Sequence, residues 1–147
     1  MTHIDFYFNA EDRFQVACRL AAKALKQSQR MLIYAPDPET ASRIDKMLWT
    51  WPAIGFVPHC AAHSPLAAET PVLIASEAGP DSVTPPECEV MLNLGRDCPP
   101  HFERFSRLLE VVPSAEGSEI DAGRTRYRFY RERGYKIANH DLAQGNE

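Results

Sequence analysis

Met31-Leu32-Ile33-Tyr34-Ala35-Pro36-Asp37-Pro38 is the stretch from which the rest of the chain can be read. Its short continuous apolar run is the pattern of a strand buried on both faces, which occurs where helices cover both sides of a parallel sheet. Pro36 stops the run. Asp37 then stands as an N-cap, with Pro38 at the first helical position, where its missing N–H does no harm. A helix therefore runs toward Leu48 and Trp49, and Pro52 ends it.

Working outward toward the N-terminus, Ile4-Asp5-Phe6-Tyr7-Phe8 is aromatic-rich and partly alternating, as suits a first strand. Asn9-Ala10-Glu11-Asp12 provides a turn and an acidic first helical turn. From Phe14 the positions Ala17, Cys18, Ala21, Ala24 and Leu25 recur at three- and four-residue spacing, with Arg13, Arg19, Lys23 and Lys26 off that stripe, so an amphipathic helix follows.

Toward the C-terminus, Val72-Leu73-Ile74-Ala75 and Val90-Met91-Leu92-Asn93-Leu94 are two more strand-like runs. A connection carrying Gly79, Pro80, Pro85 and Pro86 separates them, and it cannot be regular. His101-Phe102-Glu103-Arg104-Phe105 fits a short helix, Leu108-Leu109-Glu110-Val111-Val112 a last strand, and 118–133 a last helix. Strands alternating with helices predict a three-layer α/β domain with a largely parallel sheet and a right-handed first crossover. One domain over 1–147 is expected, with a frayed polar end over 141–147.

The bulk properties agree with an ordinary globular chain: 147 residues, 44% hydrophobic and 24% charged. No apolar run approaches the roughly 20 residues of a membrane helix, and Met1-Thr2-His3-Ile4-Asp5 lacks the pattern of a secretory signal. A cytoplasmic protein with no membrane partner is expected. Cys18, Cys60, Cys88 and Cys98 form no Cys-x-x-Cys pair and read as reduced thiols.

Signs of catalysis are weak. The turns after the first two strands, Asn9-Ala10-Glu11-Asp12 and Pro36-Asp37-Pro38-Glu39, have no glycine to admit a pyrophosphate and place acids where phosphate would sit. His59, Cys60 and His63 lie within five residues but between Pro58 and Pro65, without an acidic base or a signalled fourth ligand, and read as a loop with incidental histidines. No glycine-flanked serine elbow occurs. The expectation is a non-enzyme without cofactor or metal, a nucleotide- or metal-dependent enzyme being the lesser alternative.

Charge gives the functional signal. The net charge is −4, yet the segment 124–133 holds five arginines and one acid, so it carries +4 and the remainder −8. A compact positive site on an acidic body suits one short anionic ligand and disfavours a long polyanion. At about 100° per residue, Arg124, Tyr127, Arg128 and Arg131 fall in one sector, with Phe129 and Ala122 opposite and Arg126 and Arg133 nearer the packing side. Arginines near a helix C-terminus also offset its dipole, but that does not need five. A peptide with a hydrophobic last residue and a free carboxylate fits this face, and direct binding of single-stranded DNA is the alternative. The second unusual feature is the stretch 48–59, dense in large apolar groups and broken by Pro52 and Pro58. Trp49, Trp51 and Phe56 are too many for a short irregular connection to bury, so the stretch divides between core and an interface.

These residues resemble the chi subunit of bacterial DNA polymerase III, an accessory subunit of the clamp-loader complex. The similarity covers most of the chain. It rests on Phe6-Tyr7, the segment 31–49, the block Trp49-x-x-Pro52-Ala53-x-x-Phe56-Val57-Pro58-His59, and the ending Arg124-x-Arg126-Tyr127-x-x-Tyr130-Arg131-x-x-Gly134-Tyr135. The resemblance implies a Rossmann-like fold lacking a phosphate-binding loop. It also implies a non-catalytic adaptor in DNA replication that binds the acidic, phenylalanine-terminated C-terminal tail of single-stranded DNA-binding protein. By residue matching it assigns Arg124, Tyr127, Arg128 and Arg131 to the tail, with Val112 and Gly134 as further pocket residues. Trp49 and Phe56 are assigned to the psi subunit or an equivalent clamp-loader component, and contact with DNA is mainly indirect.

Overall fold

The computed structural model describes residues 2–50, 57–62, 64–75, 88–114 and 117–144. Trp51, Pro52, Phe56, His63, the connection over 76–87 and the last three residues lie outside them. Among the described residues seven strands form one sheet: β1 (His3–Ala10), β2 (Met31–Tyr34), β3 (His59–Ala61), β4 (Val72–Ala75), β5 (Val90–Asn93), β6 (Arg107–Pro113) and β7 (Ile137–Asp141), in the order β3-β4-β2-β5-β6-β1-β7. Every pairing is parallel. Among the described residues three helices accompany them: α1 (Arg13–Lys26), α2 (Pro38–Thr50) and α3 (Ser118–Glu132).

Both sheet faces are covered, as the run at Met31 requires. Met31 and Ile33 face α1 and α2, sharing a core with Ala17, Leu20, Ile44 and Leu48. Leu32 faces the other way, into a core with Phe6, Met91, Leu108, Phe102, Phe105 and Tyr130 beneath α3. The capping signal at Asp37 is realised: it accepts from Glu39 N–H at 3.4 Å and from the Thr40 hydroxyl at 3.1 Å. Asp12, expected in an acidic first helical turn, is instead the N-cap of α1 and accepts from the N–H groups of Phe14 and Gln15 at 2.9 and 3.4 Å. Cys18 is buried in the α1 core, and burial pushes its thiol up to about 12, so it stays protonated.

Three expectations need correction. His59, Cys60 and Ala61 are an edge strand and not a loop, because they pair with β4. Leu108–Val112 is not the last strand: β7 follows α3 and pairs with β1. Within the stretch expected to be polar and frayed, Asp141 accepts from Asn9 Nδ2 at 2.8 Å, a 3-10 turn spans Leu142–Gln144, and Leu142 packs on the α1 core. The short helix after Pro100 is a single 3-10 turn, Phe102–Arg104.

The β6-β1-β7 end of the sheet is tied together by Asp5, only 4% exposed. Its carboxylate accepts from Arg107 on β6 at 3.0 and 3.3 Å and lies 3.0 Å from His140 Nε2 on β7. His140 also stacks on Tyr7, ring centroids 4.4 Å apart. Burial alone would raise the Asp5 carboxyl, but hydrogen bonds from His140 and Arg107 and the nearby positive charges outweigh it, and the net direction is down. The fold thus favours ionised Asp5. Its stabilisation is full above the ordinary value of 3.8 and is lost as pH falls through the lower folded value. Asp5→Asn should cost about 1.5–3 kcal/mol at pH 7, and its melting-temperature deficit against wild type should shrink below about pH 4. A deficit that stays constant down to pH 2.5 would contradict this assignment.

Candidate functional site

One row of side chains across the sheet fixes where α3 lies. Register places Asn93 of β5 beside Glu110 of β6, Glu110 beside Phe6 of β1, and Phe6 beside Asn139 of β7. Glu110 is fully buried. Its oxygens accept from Arg126 Nε at 2.9 Å, the Tyr130 hydroxyl at 2.6 Å and Asn93 Nδ2 at 3.1 and 3.2 Å. Arg126 also donates to the backbone oxygen of Arg96 at 2.8 Å, and Asn93 to that of Asp97 at 3.1 Å, so the β5–β6 connection joins the network. Burial pushes the Glu110 carboxyl up from its ordinary range, against the opposing pull of Arg126, Tyr130 and Asn93. Burial and the adjacent carboxylate push the Tyr130 phenol up as well, which keeps it a donor.

Further along α3, Tyr127 packs edge-on against Phe6 with centroids 5.0 Å apart, and its hydroxyl accepts from Asn139 Nδ2 at 3.2 Å. Gly123 lets the helix settle onto β6: a Cβ there would stand 2.8 Å from Val112 Cγ2. The buried residues of α3 are accordingly Gly123, Arg126 and Tyr130, spaced three and four apart, and not the Phe129 and Ala122 side.

Between α3 and the carboxyl ends of β1 and β6 opens a groove of about 410 Å³. Phe6, Phe8, Val112, Pro113 and Ile120 make it apolar, while Tyr127, Asn139 and Arg124 supply polar groups. Of the residues singled out in the sequence, the structure brings Val112, Arg124 and Tyr127 together here. Arg128 and Arg131 continue along the exposed side of α3, their side chains without an ion pair or hydrogen bond among the described residues. Among the described residues Arg124 has only a loose partner, Asp121 at 3.9 Å, and its side chain is 74% exposed. Gly134 stands apart. With φ +83° it ends α3, donating to Arg131 O at 3.0 Å while Tyr135 N–H reaches back to Tyr130 O at 3.2 Å.

The five arginines therefore divide by role. Arg126 is buried structure, Arg133 lies over the Phe129 ring at 4.2 Å, and Arg124, Arg128 and Arg131 are left to solvent. Glu110 is the functional support that periodicity alone misses. Its signal was a lone acid inside an otherwise apolar strand, with an arginine sixteen residues later on a helix.

On the opposite side of the sheet order, Trp49 at the end of α2 is 59% exposed. Its ring meets His59 edge-on at 5.1 Å, and His59 Nε2 lies 3.2 Å from Asp45 Oδ1, so His59 braces α2 against β3. Among the described residues no group of His, Cys, Asp or Glu could hold a metal ion, and no helix is long and apolar enough to cross a membrane.

The family model described as DNA polymerase III chi subunit, HolC, matches residues 1–138. The chain belongs to the DNA polymerase III chi subunit family. DNA polymerase III subunit chi of Pseudomonas aeruginosa is 34% identical over 146 residues, covering 97% of this chain and 98% of the relative. Its Escherichia coli counterpart is 30% identical over 123 residues, covering 84% and 81%. Membership ties the chain to the DNA polymerase III assembly and so to DNA replication. In this chi-family chain the segment 1–138 contains the Glu110 network, the whole of α3 and every groove residue except Asn139.

The network carries a direct expectation. Glu110→Ala leaves the Arg126 guanidinium buried without its counter-charge and should cost about 3–5 kcal/mol in chemical denaturation. A loss below about 1 kcal/mol would mean that Glu110 does not hold α3 in place.

Proposed function

We propose that this chi-family chain is a non-catalytic adaptor that links the clamp loader to single-stranded DNA-binding protein by capturing that protein's acidic, phenylalanine-terminated tail. The observation that carries the reading is the groove itself: an apolar floor able to take a terminal side chain, with Arg124 at its edge to meet a carboxylate. Val112, Tyr127 and the neighbouring rings form the pocket. Arg128 and Arg131 extend the positive face for upstream acidic residues, and Gly134 ends the helix that presents them.

Magnitudes assign the work. Burying one phenylalanine yields about 1.5–3 kcal/mol, whereas exposed ion pairs yield less and weaken with salt. The ring should set affinity, and the arginines should set the association rate and its salt dependence. A second surface is proposed at the end of α2, where the exposed Trp49, with Phe56 from outside the described residues, faces psi or an equivalent clamp-loader component.

Titration calorimetry with a short acidic peptide ending in phenylalanine should give a dissociation constant of about 1 μM, near −8 kcal/mol. Replacing the terminal phenylalanine by serine, or Tyr127 by Ala, should weaken binding about tenfold or more. Arg128→Ala and Arg131→Ala should each cost less than about fivefold and flatten the salt dependence. Absence of binding at low salt, or indifference to the terminal phenylalanine, would refute the proposal. For the second surface, Trp49→Ala should reduce recovery of psi in co-purification, and undiminished recovery would remove Trp49 from that interface.

A further inference from the structure

Beside the groove, the sheet ends in an open edge. β7 pairs with β1 alone, and its other side has no strand partner among the described residues. Ile4 N–H donates to Lys136 O at 3.1 Å. The alternation of a parallel ladder then turns the backbone groups of Ala138 and His140 toward β1 and those of Ile137, Asn139 and Asp141 outward. Such an edge is a template for another strand.

The geometry also places the edge next to the positive stripe of α3. Tyr127 bonds Asn139, so this side of α3 overlooks β7. Arg124 and Arg131 lie three residues before and four after Tyr127, on the same helix face. The helix runs against the strands: Gly123 meets Val112 near the carboxyl end of β6, whereas Tyr130 meets Glu110 two residues earlier. Arg124 therefore sits toward the strands' carboxyl ends, by the groove, and Arg131 toward their amino ends.

From this we propose that the tail does not bind by its last residue alone: its preceding acidic residues add to the β7 edge as an eighth, parallel strand beside Arg131. The inference rests on the groove being the tail site and adds how the tail lies. Direction follows from the ends. With the terminal carboxylate at Arg124, the peptide runs in the same sense as β7, as the other six strands do. Alternate peptide amides then donate to or receive from the outward groups of Ile137, Asn139 and Asp141, while acidic side chains on the helix side meet the arginines. Charge favours this occupant, because the helix bordering the edge carries three exposed arginines and the segment it belongs to carries +4.

The experiment uses the full chain and a short acidic peptide ending in phenylalanine, with single N-methyl groups placed at each internal amide in turn. Added-strand binding predicts losses of about three- to tenfold at alternate amides only, and slowed amide exchange at Ile137, Asn139 and Asp141 in the complex. A spin label on the peptide's N-terminus should broaden resonances near Arg131 and Lys136. If the unmodified peptide binds but no alternation and no exchange protection occurs, the added strand is overturned while the tail site stands. Broadening near Arg124 instead would overturn the parallel direction. If the unmodified peptide does not bind, both proposals fall.

Discussion

The buried carboxylate of Glu110 is the constraint on which the functional side of this molecule depends. An ionisable group fully out of water is costly unless it is paired and hydrogen-bonded, and here the partners come from α3 and from β5. The satisfied network leaves α3 little freedom to slide or rotate. Arg126 and Tyr130 must point down, Gly123 must meet Val112, and Tyr127 must fall on Phe6. The exposed positions of Arg124, Arg128 and Arg131 are a consequence of that anchoring, and so is the groove beside them.

A division of labour among like residues follows. A cluster of five arginines would repel itself if all were alike, but one is neutralised in the core and one is spread over an aromatic face. Three remain for a ligand. Far across the sheet order, beyond β4, the Trp49-His59-Asp45 arrangement belongs to the opposite edge. Two partners engaging the α3 groove and the end of α2 would thus approach different edges of one sheet, which is the arrangement an adaptor needs.

Much of this was legible in the chain. The apolar run at Met31 and the Asp37-Pro38 cap identified a strand buried on both faces and the start of α2, and the same logic found β4, β5 and β6. What escaped lies at the edges. β7 reads Ile-Ala-Asn-His-Asp, half-covered on both faces and without clean alternation, and β3 is three residues between prolines and polar groups, so neither carries a periodic hydrophobic signal. Helix periodicity put the arginines on one side of α3 but centred the packing face on Phe129. Only the tertiary partner, Glu110, determines that an arginine is among the most buried residues of that helix. Gly134 entered only through the resemblance, as a further pocket residue, and its place in the fold is the left-handed turn that stops the helix.

The central claim is that the tail of single-stranded DNA-binding protein occupies the groove built on the Glu110 row. Mapping backbone amide shifts of the full chain during titration with that tail tests it most directly. The account predicts the largest changes at Phe8, Val112, Arg124, Tyr127 and Asn139, with the α2 end around Trp49 undisturbed. Changes concentrated at Trp49 and β3, with the groove residues silent, would contradict it.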